Sequence, residues 1–251
     1  MSEKLMSVIG LYEGFSLDNP QVFIEQKQPL PTAKGHDLLV QVRAVSVNPV
    51  DVKLRRSTQA QQKLKILGFD GVGEVVAVGQ KATKFQLGDT VFYAGSTQRS
   101  GSNQEYQLVD ERIVALAPKM LSLEQAAALP LTGLTAYELL FEKFGLRAQE
   151  KANAGNILVI NGSGGVGSIL TQLAQWAGLS VYATASPHNF AWLQKMGVKT
   201  PIDYHQPLKE SLPADLRFDY IAVLHDIAPY FEQLTPLIKP FGHLGTIVET
   251  A

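Results

Sequence analysis

Residues 156–168, Asn-Ile-Leu-Val-Ile-Asn-Gly-Ser-Gly-Gly-Val-Gly-Ser, place spaced glycines directly after four consecutive apolar residues. The apolar run Ile157–Ile160 predicts a buried strand, and helical spacing of apolar residues from Val166 to Ala177 predicts a helix. Between them lies the turn Gly162-x-Gly164-x-x-Gly167. A turn with so few side chains indicates that something must approach the backbone itself.

This strand–turn–helix arrangement is typical of a site for a dinucleotide pyrophosphate. Gly162 permits the tight turn, Gly164 allows close approach of the phosphates, and Gly167 lets the helix pack on the strand. The helix N-terminus supplies free N–H groups and a partial positive charge. We therefore predict a cofactor site that also includes the intervening Ser163, Gly165 and Val166; a flexible surface turn is the alternative.

The rest of the chain indicates two domains of different character. Strand candidates after the glycine turn alternate with helical segments, which predicts a doubly wound parallel sheet; they are Val181–Ala185, Pro201–Tyr204, Tyr220–Leu224 and Leu244–Val248. Before it, candidates at Leu38–Ala44, Gly73–Val78 and Asp89–Tyr93 predict a β-barrel or sandwich. A helix is predicted over Leu123–Phe144, capped by Ser122, so we place the domains at residues 1–121 and 122–251.

The end of the second predicted strand bears on the choice of nucleotide. It reads Ala185-Ser186-Pro187-His188-Asn189, and no acidic residue follows until Asp203. A carboxylate there would repel a 2′-phosphate, so its absence favours NADP over NAD. Ser186 and His188 are the candidates for binding that phosphate, although His188 also fits an ordinary exposed loop histidine.

Composition excludes several classes of function. A formal net charge of −1 leaves no basic excess for nucleic acid. No apolar run is long enough to span a bilayer and no secretory signal is seen, so we expect a cytoplasmic protein without membrane partners. With zero cysteines, thiolate metal sites are impossible, and the five histidines show no metal-ligand spacing.

Five segments in order give the chain a resemblance to a known family. They are Val47–Lys53, Leu67–Val75, Leu87–Val91, Ala126–Tyr137 and the glycine turn. The chain resembles the medium-chain dehydrogenase/reductase superfamily, in particular its zinc-independent quinone oxidoreductase and zinc-type alcohol dehydrogenase-like branch. The resemblance implies a GroES-like barrel followed by a Rossmann domain, with cofactor and substrate in the cleft between them.

The zinc of related alcohol dehydrogenases has no ligands here. The resemblance aligns the ligand positions with Asn48 or its neighbours, Phe69 and Leu131, none of which can serve. Without a Lewis acid, hydride transfer from NADPH to an electron-poor quinone, enone or similar carbonyl is the favoured reaction. A nucleotide-binding protein without turnover, such as a redox sensor or an inactive short form, is the alternative.

The resemblance also implies the substrate-side residues. Asn48, Asp51 and Lys53 would face the nicotinamide, with Asn48 donating a hydrogen bond to the acceptor oxygen. Lys53 stands where many relatives have tyrosine, and it either replaces that group electrostatically or lies on a solvated face. Asp51 equally fits a brace for the turn after Pro49.

Two further cofactor contacts come from the resemblance. Thr135 is expected near the nicotinamide, or else packed inside its helix, and Tyr204 near the adenosine end. Related chains continue beyond the fifth strand, so we expect this sequence to be truncated or naturally short. A homodimer of the usual kind is therefore doubtful, because relatives pair through the strand that is missing.

Overall fold

The computed structural model describes residues 4–248, which divide after Leu131 into two units. The expectations about the two ends of the chain concern residues outside this range. None of the helices in the described part is long and apolar enough to cross a membrane.

The first unit is built on antiparallel strands, as the alternating apolar pattern predicts. Its strands are β1 Leu5–Gly10, β2 Ile24–Pro29, β3 Asp37–Ser46, β4 Asp70–Val78, β5 Thr90–Tyr93, β6 Tyr106–Asp110 and β7 Ala115–Leu116. Five of them form a sheet in the order β6-β3-β4-β5-β7, and β1 pairs with β2. The inward residues of β3, β4 and β5 form its core, including Leu38, Val75 and Val91.

Short helices complete the first unit. They are α1 Pro49–Ser57, α2 Leu123–Ala127 and a 3₁₀ turn at Glu111–Ile113. Ala126 and Ala127 of α2 pack against Val72 of β4. The first unit therefore extends to Leu131, beyond the boundary predicted between residues 121 and 122.

The second unit is a parallel sheet with helices, as predicted. It contains α3 Pro130–Tyr137 (which begins at the boundary), a π-helix Glu138–Lys143, β8 Asn156–Ile160, α4 Gly165–Trp176, β9 Ser180–Ala185, α5 Phe190–Lys195, β10 Thr200–Asp203, α6 Leu208–Ser211, β11 Phe218–Val223, α7 Phe231–Leu234 and β12 Ile238–Thr246. In the strand order β10-β9-β8-β11-β12, the chain adds β9 and β10 on one side of β8 and then returns to add β11 and β12 on the other side. In open parallel sheets, ligands bind at this switch point, at the carboxyl ends of the strands.

The prediction of one helix over Leu123–Phe144 is wrong in one respect, because the structure divides this segment into shorter helices. Ser122 does cap its start by accepting a hydrogen bond from Gln125 N at 3.3 Å. However, α2 ends at Ala127 and α3 begins at Pro130. Proline has no N–H to donate to the preceding turn and is tolerated only in the first turn of a helix, so a new helix starts there.

Candidate functional site

The glycine turn joins the carboxyl end of β8 to α4, as predicted. Asn161 has a positive φ of 65°. Its N–H donates to Thr184 Oγ1 at 2.9 Å, and the N–H of Gly162 donates to Thr184 O, also at 2.9 Å. The turn is thus fastened to the end of β9, which holds its backbone in place.

Two of the glycines are needed because there is no room for a side chain. A Cβ on Gly162 would lie 2.6 Å from Ala183 Cβ on β9. A Cβ on Gly167 would lie 2.5 Å from the carbonyl oxygens of both Asn161 and Gly162. These contacts allow α4 to lie directly against β8, so that the helix N-terminus and the strand end meet at one place.

The start of α4 offers a set of backbone donors. Gly164 is the N-cap residue, and the first backbone bond into the helix runs from Ser168 N to Gly164 O at 2.8 Å. Within residues 4–248, the N–H groups of Gly165, Val166 and Gly167 donate to no protein acceptor. Free amides and the positive end of the helix dipole together suit a diphosphate.

The predicted phosphate-binding residues lie next to this turn. Ser186 follows β9 directly and is 9% exposed, whereas His188 is exposed; Ser186 Oγ lies 3.5 Å from His188 Nε2. Asn189, which sequence reasoning missed, places its Nδ2 3.3 Å from Ser186 Oγ and 3.5 Å from Ser163 Oγ. Asn189 therefore links the glycine turn to the end of β9. In the sequence, the feature that could have identified it is its position two residues after Pro187.

An acidic residue lies closer to this strand end than the sequence indicates. The parallel register of β10 and β9 places Asp203 beside Ala185. Its Oδ1 accepts hydrogen bonds from His205 N at 3.0 Å and from His205 Nδ1 at 2.6 Å, and these bonds lower the pKa of Asp203. Tyr204 is exposed, and its ring lies at a tilt of 31° against the His205 ring, with centroids 4.1 Å apart.

In the first unit, the predicted substrate-side residues belong to one turn at the start of α1. Asn48 N donates to Asp51 Oδ2 at 2.8 Å, and Gly68 N donates to Asp51 Oδ1 at 3.2 Å. Asp51 is 8% exposed, so the structure gives it the bracing position that was one of its two predicted readings. Lys53 is exposed on α1, the ordinary place for a lysine, and its electrostatic role stays a prediction.

Asp70 is a further buried acid that sequence reasoning did not select. It begins β4 with 0% exposure. Its Oδ2 accepts from Ser46 Oγ and from Asn48 Nδ2, both at 2.8 Å, and its Oδ1 accepts from Leu131 N at 2.8 Å. Burial raises the pKa of Asp70, and the hydrogen bonds partly offset that rise. The feature of the sequence that could have identified Asp70 is the occurrence of an aspartate within the apolar run of residues 66–78.

The first unit does not fit a zinc ion of the alcohol dehydrogenase type. The resemblance aligns the zinc-ligand positions with Asn48 or its neighbours, Phe69 and Leu131, and an amide and hydrocarbon side chains do not suit that ion. Within residues 4–248, no three His, Cys, Asp or Glu side chains are grouped closely enough to hold a metal ion. Thr135 lies half-buried on α3, and its contact with a nicotinamide stays a prediction.

An antiparallel unit followed by a parallel sheet with this glycine turn is the arrangement found in two-domain oxidoreductases that bind a dinucleotide. Residues 34–119 match the alcohol dehydrogenase GroES-like domain family. A zinc-type alcohol dehydrogenase-like protein of Staphylococcus epidermidis is 44% identical over 97% of this chain and 73% of that protein. The chloroplast envelope quinone oxidoreductase homolog of Arabidopsis thaliana is 33% identical over 78% of this chain and 61% of that protein.

A solved structure agrees with these relatives. A putative zinc-dependent alcohol dehydrogenase protein from Rhizobium etli superposes with a TM-score of 0.92 at 38% identity, covering 100% of this chain and 74% of that one. The chain belongs to the medium-chain dehydrogenase/reductase superfamily and is an oxidoreductase of that family. The predicted resemblance, with its GroES-like domain and parallel sheet, is confirmed.

Proposed function

We propose that this oxidoreductase transfers hydride from NADPH to a quinone, an enone or a similar carbonyl, without zinc. The observation that carries the proposal is the glycine turn: among the described residues, no acceptor is found for the backbone N–H groups of Gly165, Val166 and Gly167, which form the N-terminus of α4. These groups bind a diphosphate, and the glycines keep the space beside them open.

The preference for NADPH rests on the residues at the end of β9. Ser186, His188 and Asn189 offer a hydroxyl, an imidazole and an amide there. The nearby carboxylate of Asp203 already accepts hydrogen bonds from the backbone N–H and the ring of His205. Hydrogen-bond donors at this place favour a phosphate over a bare ribose hydroxyl.

The acceptor class follows from the chemistry of the side chains. A bound nicotinamide supplies the hydride when it is present. From residue 4 to Leu131 the first unit offers no thiolate or imidazole cluster to hold a Lewis acid, so this chain's residues are left to position the acceptor and exclude water. Electron-poor acceptors accept hydride under those conditions, and the quinone oxidoreductase homolog among the relatives supports this choice.

The test is a titration followed by an acceptor screen. Trp192 Nε1 donates to Ser168 Oγ at 2.8 Å in the first turn of α4, so tryptophan fluorescence reports on the turn. We expect NADPH to bind more tightly than NADH, and we expect 1,4-benzoquinone or 9,10-phenanthrenequinone to oxidise NADPH equally with and without a chelator. Equal affinities would overturn the NADPH preference. Binding without turnover of any acceptor would indicate a nucleotide-binding protein instead.

A further inference from the structure

Asn161 has a backbone conformation that needs support from its surroundings. Its φ of 65° lies in the left-handed region, which glycine enters freely and other residues rarely enter. Asparagine tolerates this region better than most residues, but the region is still unfavourable for a residue with a Cβ. Asn161 directly follows β8 and begins the glycine turn. The groups that hold Asn161 therefore also decide how the turn leaves the sheet.

Both peptide groups that flank Asn161 are bonded to Thr184 of β9. The Asn161 N–H donates to Thr184 Oγ1 and the Gly162 N–H donates to Thr184 O, both at 2.9 Å. The first of these peptide groups is also held at its other end, because Ile160 O accepts from Leu224 N at 3.2 Å. One planar peptide group precedes the Asn161 Cα and the other follows it, so fixing both groups fixes the φ and ψ of Asn161.

The second of these peptide groups also sets the position of α4. Asn161 O accepts from Gly164 N at 3.3 Å. A Cβ at Gly167 would lie 2.5 Å from Asn161 O and 2.5 Å from Gly162 O, so the first turn of α4 rests directly on both carbonyl groups. The orientation of the peptide group between Asn161 and Gly162 therefore determines where the N–H groups of residues 165–167 point.

The hydroxyl is the part of this arrangement that depends on the side chain of Thr184. A residue of any type at this position offers a backbone carbonyl to Gly162, whereas the acceptor for the Asn161 N–H is a side-chain oxygen. Thr184 is 1% exposed, so solvent has almost no access to its hydroxyl. A substitution that removes the oxygen therefore leaves the Asn161 N–H without this partner.

We propose that Thr184 is a positioning residue for the cofactor: its hydroxyl holds Asn161 in the left-handed conformation and thereby aims the N–H groups of residues 165–167 at the diphosphate. NADPH and NADH share the diphosphate. Thr184 therefore sets the affinity for both nucleotides, and it does not set the preference between them, which the proposed function assigns to the residues after β9. The inference rests on the proposed function, because it requires a nucleotide at this turn.

The test measures the affinities of NADPH and NADH by isothermal titration calorimetry. Thr184→Val keeps the shape of the side chain but loses the acceptor, and Thr184→Ser keeps the acceptor. We expect Thr184→Val to weaken the binding of NADPH and of NADH by the same factor, about tenfold, since the Asn161 N–H loses its partner and the turn relaxes. Thr184→Ser should bind both nucleotides within about threefold of wild type.

Thr58→Val is the matched control for a loss of stability. Thr58 lies in the first unit, is 6% exposed, and donates its hydroxyl to Leu54 O at 2.6 Å. This variant should lower the Tm, as Thr184→Val does, and leave both nucleotide affinities unchanged. A lowered Tm with wild-type affinities in Thr184→Val would show that the hydroxyl only stabilises the fold. A loss confined to NADPH would place its action at the 2′-phosphate, and either result overturns the proposal.

Wild-type protein provides a second measurement that does not depend on the variants folding. The backbone amide hydrogen of Asn161, followed by NMR, should exchange slowly with solvent, because it is donated to a buried hydroxyl. Exchange as fast as that of an exposed amide would overturn the role of Thr184. If wild-type protein binds neither nucleotide although this hydrogen exchanges slowly, the proposed function fails, whereas binding by wild type that Thr184→Val equals removes only the role of Thr184.

Discussion

At the scale of single residues, the lack of a side chain at Gly162 and Gly167 allows the close packing of the candidate cofactor site. Substituting alanine at either position pushes a methyl group into atoms 2.5–2.6 Å away. We expect Gly167→Ala to lower the free energy of unfolding by about 1–3 kcal/mol, as overpacking does, and to weaken NADPH binding because α4 must move. Denaturant unfolding and fluorescence titration measure the two effects.

Gly133→Ala is the matched control for this substitution. A Cβ at Gly133 in α3 meets nothing within 4 Å, and alanine is favoured over glycine inside a helix by about 0.5–1 kcal/mol. We therefore expect unchanged or raised stability. Equal tolerance of alanine at positions 133 and 167 would contradict the close approach of α4 and β8.

His188 tests the proposed preference for NADPH. It is exposed and lies 3.5 Å from Ser186 Oγ, so substitutions there should cost little stability. In His188→Asp, a carboxylate next to a bound 2′-phosphate should weaken NADPH binding by about tenfold, a like-charge effect of roughly 1.4 kcal/mol. NADH affinity should change little, and the neutral variant His188→Gln should resemble wild type for both nucleotides. Parallel losses for NADPH and NADH in His188→Asp would place the phosphate elsewhere.

At the scale of elements, a buried glutamate fastens the first unit together. Glu111 Oε2 accepts from Thr83 N and Lys84 N, each at 2.8 Å, and its Oε1 lies 2.9 Å from His36 Nδ1. Lys84 N–H, His36 and Thr83 N–H lower the pKa of Glu111 below its ordinary 4.5. The carboxylate thus holds the turn before β5 against the start of β3.

The lowered pKa of Glu111 determines how its contribution to the stability of the fold depends on pH. A depressed pKa gives stability that is fully present above pH 4.5, the unfolded value, and is lost as the pH falls through the folded pKa. We expect Glu111→Gln to lower the Tm at pH 7 and the gap to wild type to narrow below pH 4.5. Thermal unfolding followed by circular dichroism across this range checks it, and a gap that does not depend on pH would assign the loss to packing alone.

Elements with a strong local pattern were predicted well from the sequence, and those set by tertiary contacts were not. The alternation in β3 and the apolar run of β8 identify their strands directly. In contrast, β12 extends from Ile238 to Thr246, although the prediction began only at Leu244. Its pairing with β11 is irregular, and Phe241 has a positive φ of 63°. No residue pattern specifies such an irregularity, because it is fixed by pairing with the neighbouring strand.

The candidate sites show the same difference between features set by local sequence, which were predictable, and features set by tertiary contacts, which were not. The glycine turn was predictable because the steric demand falls on consecutive residues. The position of Asp203 beside Ala185 depends on strand register, and the cluster around Asp70 joins residues as distant as Ser46 and Leu131. Contacts between distant segments leave no mark on local spacing, so one sequence did not reveal them.

At the scale of the whole molecule, the two units should respond differently to NADPH, because the groups proposed to bind its diphosphate all belong to the second unit. A ligand at a hundredfold excess over its Kd stabilises the state that binds it by about 2.7 kcal/mol. We expect hydrogen exchange, followed by mass spectrometry, to slow in peptides covering β8, the glycine turn, the start of α4 and the end of β9. The strands β3 and β6 of the first unit, which lie in a separate sheet, should change much less. Gly167→Ala should lose this protection at the same NADPH concentration. Protection spread evenly over both sheets, or its absence at the turn, would mean that the nucleotide binds elsewhere than at the N-terminus of α4.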